Sequence, residues 1–215
     1  DPEMSRGLGD VYKRQPEGYR VYGLGEWGET EGLILKNYIV EDFDRSPERF
    51  DYVVNAQDFG FNHANCVGEV GFKDGELYLC QELYVYEMDT EEIIQLAEGK
   101  FNKRLRMWCD SAEPDRIKMW QKAGYRAKGV KKELNSVHAQ IDYLKQHKIH
   151  IHPSCVNTIK EIQQWKWKKD DRTNTYLDEP VPFFDDAMAM LRYAIEQERK
   201  APARLNKNKS LKGGL

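Results

Sequence analysis

The spacing of hydrophobic residues changes along the chain from every second position to every third or fourth position. Residues 52–86 contain three short apolar segments, and the Asp74-Gly75 pair between the last two is a strong hairpin signal. The pattern therefore predicts three consecutive strands, over 52–58, 64–72 and 76–86.

After residue 90, helical spacing alternates with short apolar runs. Predicted helices cover 91–101 and begin near 114, 136, 153 and 185, while predicted strands cover 105–109, 125–129 and 149–151. Thr90, Ser111 and Ser136 stand where helix N-caps are expected, and residues 165–176 predict a β-ribbon. Three strands followed by alternating strands and helices predict an α/β fold: a mixed β-sheet flanked by helices, in the order of a ribonuclease H-like domain, with a β-hairpin insertion.

The two ends differ from the middle. Residues 1–15 have no periodic pattern and resemble a translated sequencing adapter, so we interpret them as a non-native leader; an ordinary disordered terminus is the alternative. Residues 16–50 are glycine-rich in their first half and predict a linker arm, and residues 51–199 predict the folded domain. Residues 200–215 hold basic residues and no acid, which is typical of a flexible tail.

Composition changes the picture only slightly. The 33 basic and 36 acidic residues give a net charge of −3, which by itself does not indicate a nucleic-acid binder. No apolar run approaches the roughly 20 residues of a membrane span. The four cysteines are far apart and form no CxxC pair, which favours a reducing compartment.

Acidic residues stand at the ends of predicted elements. Asp58 ends the first strand, Asp110 follows the central strand, and Asp185 and Asp186 begin the last helix. Sites in open α/β sheets gather beyond the carboxyl ends of strands, and clustered carboxylates need a cation such as Mg²⁺ or Mn²⁺ to offset their repulsion. Taken singly, each acid also fits a helix cap or a turn residue, so spacing leaves both interpretations open.

Two groups of lysines are candidate phosphate contacts. The first follows the strand at 125–129, and the second lies on the predicted ribbon, where alternation places the tryptophans and lysines on opposite faces. A solvated surface is the alternative for both groups. The candidate DNA-binding residues are Lys128, Lys131, Lys132, Lys166, Lys168 and Lys169.

Several strings resemble the nuclease domain of the large terminase subunit of tailed bacteriophages. Residues 55–61 (NAQDFGF) resemble its first nuclease motif, 109–114 (CDSAEP) its second, and 185–194 (DDAMAMLRYA) its third. Residues 149–155 resemble the strand and helix start between the last two motifs, and 22–28 the join to the preceding ATPase domain.

This resemblance implies a divalent-metal-dependent endonuclease that cuts concatemeric viral DNA during genome packaging. Asp58, Asp110, Asp185 and Asp186 would be the catalytic and metal-binding residues, with two Mg²⁺ or Mn²⁺ ions. Residues 16–50 would be the linker from an ATPase domain missing from this chain. The implied partners are double-stranded DNA, that ATPase domain, the portal and the small terminase subunit, with no membrane, in the cytoplasm of the host.

The third motif departs from one common form of the family pattern. Many relatives have an Asp where this chain has Ala189, whereas others use an Asp pair followed by apolar residues, as at Asp185-Asp186. We therefore predict Asp185 and Asp186 as the third ligand group. Two alternatives stay open: a nuclease-impaired module that docks on DNA or the portal, and another ribonuclease H-like nuclease such as a resolvase.

Overall fold

The computed structural model describes residues 31–133 and 135–200. The chain divides between Gly32 and Leu33, and the fold is that of the unit beginning at Leu33. The predicted leader (1–15), the first part of the predicted arm (16–30) and residues 201–215 of the predicted tail lie outside the described residues.

Seven strands form one mixed sheet in the order β1-β7-β4-β3-β2-β5-β6. Strands β2, β3 and β4 are an antiparallel meander, as the three apolar runs predict; β5 and β6 continue parallel to β2, and β7 and β1 are parallel to β4 on the other side. The strands are β1 Tyr38–Val40, β2 Tyr52–Asp58, β3 Asn65–Lys73, β4 Glu76–Val85, β5 Arg106–Cys109, β6 Arg126–Gly129 and β7 Ile149–Ile151.

A two-stranded ribbon lies outside this sheet. It consists of β8 (Trp167–Asp170) and β9 (Thr175–Pro180), which pair in antiparallel fashion. The ribbon predicted over 165–176 is therefore present, but it begins and ends slightly later in the chain than the alternation indicates.

Helices cover both faces of the sheet. One face packs on α1 and α2, and the other on α3, α4 and α5, with a hydrophobic core on each side. On β5 the alternation is visible residue by residue, because Met107 and Cys109 face the first core and Trp108 the second. The helices are α1 Thr90–Ala97, α2 Pro114–Lys122, α3 Ser136–Gln146, α4 Val156–Ile162 and α5 Asp186–Ile195.

The predicted N-caps are each displaced. Asp89, not Thr90, caps α1, because Asp89 and Glu92 form a reciprocal capping box in which each side chain accepts the other's backbone N–H. Glu113 is the N-cap of α2, where Pro114 sets the first helical position, and Asn135 is the N-cap of α3. Thr90 and Ser136 are the first residues of their helices rather than the caps.

Residues 33–40, which lie in the predicted arm, pack with the sheet. Ile34 and Leu35 are buried in the larger core, and Tyr38–Val40 forms the edge strand β1 beside β7. The sequence pattern did not indicate this strand, because it has only three residues and is specified by its partner rather than by its own periodicity.

Helix α5 is the most enclosed helix among the described residues. All ten of its residues are buried, and it packs across β2 and β3. Gly68 on β3 allows this close crossing, because a Cβ atom there would lie 2.4 Å from the methyl carbon of Met190 and displace that side chain. The helix is thereby held with its N-terminus near the carboxyl end of β2.

The four cysteines are all buried and free of disulfides. Burial raises the pKa of the Cys80, Cys109 and Cys155 thiols to about 12, and that of Cys66 is raised as well. Among the described residues, no helix has the length and apolar character needed to cross a bilayer.

Candidate metal centre

Two of the predicted acids meet at one edge of the sheet. Asp58 is the last residue of β2, and Asp110 directly follows the parallel strand β5. The backbone N–H of Asp110 donates to the carbonyl of Gln57 at 3.2 Å, which fixes the two strand ends side by side. Their carboxylates therefore share the edge at which α/β sheets bind ligands.

Asp186 joins this edge from the first residue of α5. One donor atom each from Asp58, His63 and Asp186 lies within 4.8 Å of the other two, a spacing that lets a single metal ion bind all three. His63 Nδ1 is 2.5 Å from Asp186 Oδ1. Both carboxylates are buried, whereas His63 is exposed and reaches them from the loop after β2.

The carboxylate of Asp58 is in an unfavourable environment. Burial, together with the nearby charges of Asp186 and Asp110, raises its pKa to about 7 against the opposing effect of Arg192 and His63. Ionising a carboxylate in this environment is costly. Binding of a cation would be favourable there, because its charge would offset the repulsion between Asp58, Asp186 and Asp110.

Asp110 is held by its own set of partners. Lys132 Nζ lies 2.6 Å from Asp110 Oδ1, the hydroxyl of Tyr193 donates to Oδ2 at 3.2 Å, and the N–H of Ala112 donates to Oδ1 at 2.8 Å. Burial alone would raise the pKa of Asp110, but these bonds hold it below its usual value. Lys132, a predicted DNA contact, thus lies against one of the predicted metal ligands.

The two acids of the third motif have different environments. Asp186 points into the cluster, whereas Asp185 occupies the N-cap position of α5 and is not one of the three clustered groups. Burial raises the pKa of Asp185, with Arg192 acting in the opposite direction. Ala189 is buried one turn further along α5.

Glu161 and Tyr84 support Asp186, and the sequence reasoning did not identify them. Glu161 Oε2 accepts from the N–H groups of Ala187 and Met188 at 2.8 and 3.2 Å, so a side chain of α4 caps the N-terminus of α5. The hydroxyl of Tyr84 donates to Glu161 Oε1 at 2.6 Å and lies 3.3 Å from Asp186 Oδ2. Burial raises the pKa of Glu161 to about 8, although these hydrogen bonds favour its ionised form.

Arg192 is a second buried charge that the sequence reasoning missed. It lies in the apolar run of α5, and its Nη1 donates to Gln140 Oε1 at 3.3 Å. Its charge partly offsets the rise in the pKa of both Asp58 and Asp185 that burial causes. The available signal was a charged residue within the apolar run that follows Asp186 on α5. For Glu161 it was a charged residue on the buried side of α4.

The predicted lysines divide between two surfaces. Lys128 and Lys131 are exposed on and after β6. On the ribbon, Lys168 lies 3.4 Å from Glu179 and Lys169 lies over the ring of Tyr176, whereas Lys166 forms a backbone bridge with Leu33. None of the ribbon lysines is among the groups that contact the acid cluster in the described part of the chain.

The sheet order, the helices on both faces and the carboxylates at the ends of β2 and β5 together define a ribonuclease H-like fold. Residues 58–197 match the family model described as the Terminase RNAseH like domain, and the chain belongs to this family.

Solved structures of large terminases share this fold. The nuclease domain of the large terminase g2p from bacteriophage SPP1, with bound Mn, is 20% identical over 76% of this chain and 98% of that one, with a TM-score of 0.69. The nuclease domain of the P22 large terminase is 16% identical over 75% and 88%, with a TM-score of 0.60. The large terminase of a thermophilic bacteriophage is 18% identical over 86% of this chain, with a TM-score of 0.59, and this chain covers 51% of it. No curated protein sequence matches the chain.

Proposed function

We propose that this domain is a divalent-metal-dependent DNA endonuclease that cuts viral DNA during genome packaging. The observation that carries the proposal is the convergence of Asp58, His63 and Asp186 donor atoms within 4.8 Å of one another. The family match and the ion bound in the SPP1 nuclease domain support it.

The residues present fit a hard divalent cation. Carboxylate oxygens are the ligands that Mg²⁺ and Mn²⁺ prefer. The raised pKa of Asp58 reflects first its burial and then the repulsion from Asp186 and Asp110, and a bound cation would favour the ionised carboxylate against both. Asp58 and Asp186 would hold one ion with His63 as an additional ligand. Asp110, together with Asp185 as the predicted fourth acid, would contribute to a second ion.

When bound, such ions supply an activated water and stabilise the charge on the leaving oxygen in phosphodiester hydrolysis. The protein's own contribution is to fix its carboxylates before the substrate arrives. Glu161 and Tyr84 orient Asp186, and Lys132 balances the charge of Asp110. Because Lys132 is exposed, its ammonium group can turn from Asp110 to a phosphate.

The proposed partners follow from the family. Double-stranded DNA would contact Lys128, Lys131 and Lys132, and the ribbon through Lys166, Lys168 and Lys169. A terminase ATPase domain, the portal and the small subunit would complete the packaging motor in the host cytoplasm. The large terminase of the thermophilic phage, of which this chain covers about half, was also solved in complex with ATP-γ-S, and this supports an ATPase partner.

The first prediction is that Asp58→Ala abolishes cleavage. Supercoiled plasmid is incubated with wild-type protein in Mn²⁺, in Mg²⁺ and in EDTA, and nicked product is quantified. We expect metal-dependent nicking by the wild type and at least about a hundredfold slower nicking by Asp58→Ala, because the central carboxylate is lost.

Asp142→Ala is the matched control, since Asp142 is an exposed carboxylate on α3 away from the cluster. It should nick at the wild-type rate. Equal rates for wild type and Asp58→Ala, or nicking that persists in EDTA, would refute the proposed function.

A second candidate function is a docking module that binds DNA or the portal without cutting. Ala189 favours it, because one common form of the family motif that residues 185–194 resemble has an acid at that position. This candidate predicts no binding of Mn²⁺ in the millimolar range by calorimetry, whereas the nuclease predicts binding that is lost on replacing Asp58. A resolvase-type nuclease is disfavoured by the terminase family match.

A further inference from the structure

We infer that the edge of the sheet formed by β5 and β6 is a binding surface for the sugar-phosphate backbone of duplex DNA, with Arg106, Arg126 and Lys128 as its contacts. The inference rests on the proposed function for its partner, and it adds two arginines that neither the sequence motifs nor the acid cluster indicate.

The strand register places these three side chains on one face. Arg106 on β5 pairs with Arg126 on β6, and Trp108 pairs with Lys128. Because paired residues and residues two apart share a face of a sheet, the three cations lie next to one another there. Arg106 covers the buried Trp108, with its guanidinium carbon 5.3 Å from the ring centroid.

This concentration of positive charge is not neutralised locally. Arg106, Arg126 and Lys128 are all exposed, and none of them forms an ion pair within the described part of the chain. Arg126 donates to the carbonyl of Arg104 at 3.2 Å, which holds its guanidinium at the edge without removing its charge. By contrast, the neighbouring surface cations Lys103 and Lys118 each have an acidic partner.

The same residues line a groove. A cavity of about 470 Å³ runs along β6 and is bordered by the three cations and by Gln121, Tyr125 and Ala127. Strand β6 is the last strand of the sheet, so no neighbouring strand closes this side within the described residues. A polyanion with regularly spaced charges fits an open groove with cations along one wall.

The groove leads towards the acid cluster. Arg126 and Lys128 alternate along β6, which ends at Gly129, and Lys132 three residues later lies 2.6 Å from Asp110. At about 3.3 Å per residue, the six steps from Arg126 to Lys132 span at most about 20 Å, roughly the axial length of six base pairs. A DNA backbone that binds Arg126 and Lys128 would therefore be directed to the metal centre.

The test is duplex binding without catalysis. Fluorescence anisotropy of a short labelled duplex is measured in EDTA, between about 50 and 200 mM salt, with the full chain and with the triple variant Arg106→Gln, Arg126→Gln, Lys128→Gln. We expect the triple variant to bind at least about tenfold more weakly and its salt dependence (log K against log salt) to flatten by about 2–3, roughly 0.9 for each phosphate that the protein no longer neutralises.

The matched control removes three charges elsewhere. Lys36, Lys100 and Lys148 are exposed lysines away from β5 and β6, and their replacement by Gln changes the net charge by the same amount. The control should bind with nearly wild-type affinity and slope. An equal loss of affinity in the control and in the triple variant would overturn the inference, because DNA binding would then depend on total charge. No loss of affinity in the triple variant would overturn it as well.

Two further outcomes test the DNA-binding groove separately from the proposed nuclease function. Polyglutamate that competes as well as unlabelled duplex would overturn the assignment to DNA and indicate an acidic protein partner. Binding in EDTA requires no metal, so a failure of the Asp58→Ala test leaves this measurement valid. Normal nicking together with normal DNA binding by the triple variant would refute the DNA-binding groove and leave the proposed nuclease function intact.

Discussion

Asp185 and Asp186 are adjacent in sequence, yet only one of them faces the acid cluster. The helix begins between them, so Asp186 follows the inward side of α5 while Asp185 remains at its N-cap. The sequence places both acids at the start of a helix. It also places Asp58 and Asp110 at the carboxyl ends of strands, and therefore at the same edge of the sheet. Which of the pair turns inward depends on how α5 packs against β2 and β3, and no local pattern encodes that.

The second prediction compares these two residues directly. Asp186→Ala should weaken Mn²⁺ binding by at least about tenfold, because it removes one of three converging donor atoms. Asp185→Ala should weaken binding of this ion by less than about threefold, because Asp185 is not among the three converging groups and acts on their ion only as a nearby charge. Isothermal titration calorimetry measures both, with Asp142→Ala as the control. A larger effect at Asp185 than at Asp186 would reverse the assignment of the ligand.

At the level of elements, α5 depends on a residue of α4. Glu161 accepts from two N–H groups of the first turn of α5 and from the hydroxyl of Tyr84 on β4, so one side chain joins three elements. Tyr84 and Glu161 are 77 residues apart, and each looks unremarkable in its own segment. The location of the acids at strand ends was predictable, because a residue at the end of a strand lies at the edge of the sheet. The hydrogen bonds of Glu161 form only when elements distant in sequence pack together.

The third prediction concerns the stability that Glu161 provides. Glu161→Ala should lower the free energy of unfolding by about 2–4 kcal/mol, because two helix N–H groups and a tyrosine hydroxyl lose a buried acceptor. Urea denaturation followed by circular dichroism measures the change.

Glu91→Ala is the control for this measurement. Glu91 is an exposed glutamate in the first turn of α1, and its loss should cost about 0.5 kcal/mol or less. If Glu161→Ala were no more destabilising than the control, the α4 side chain would not be capping α5 in solution.

At the scale of the whole molecule, the sequence predicts strands β2 to β7 and their helices but not the edge strand that precedes them. The meander and the parallel βα units have strong local periodicity, so their order follows from the pattern. Strand β1 has no such signal, since its three residues are stabilised by pairing with β7, more than 100 positions later. Parallel pairings of this kind are visible only once the sheet is assembled.

The fourth prediction tests by truncation where the domain begins. A chain of residues 33–200 should melt cooperatively, whereas one of residues 51–200 should be less stable and prone to aggregate. The shorter chain lacks the buried side chains of Ile34 and Leu35, each contributing about 1.5–3 kcal/mol, and it exposes the unpaired edge of β7. Differential scanning calorimetry compares the two, and equal melting temperatures would show that residues 33–50 are a dispensable arm.

The burial of all four cysteines has a practical consequence. Reagents such as maleimides react with the thiolate, and here each thiol is both enclosed and held in its protonated form near neutral pH. A single cysteine introduced at an exposed position of a helix, such as Lys118→Cys on α2, would therefore be the one site that takes a dye. Fluorophores can be attached to this domain without first removing its native cysteines, which makes its distance from a labelled DNA end directly measurable by energy transfer.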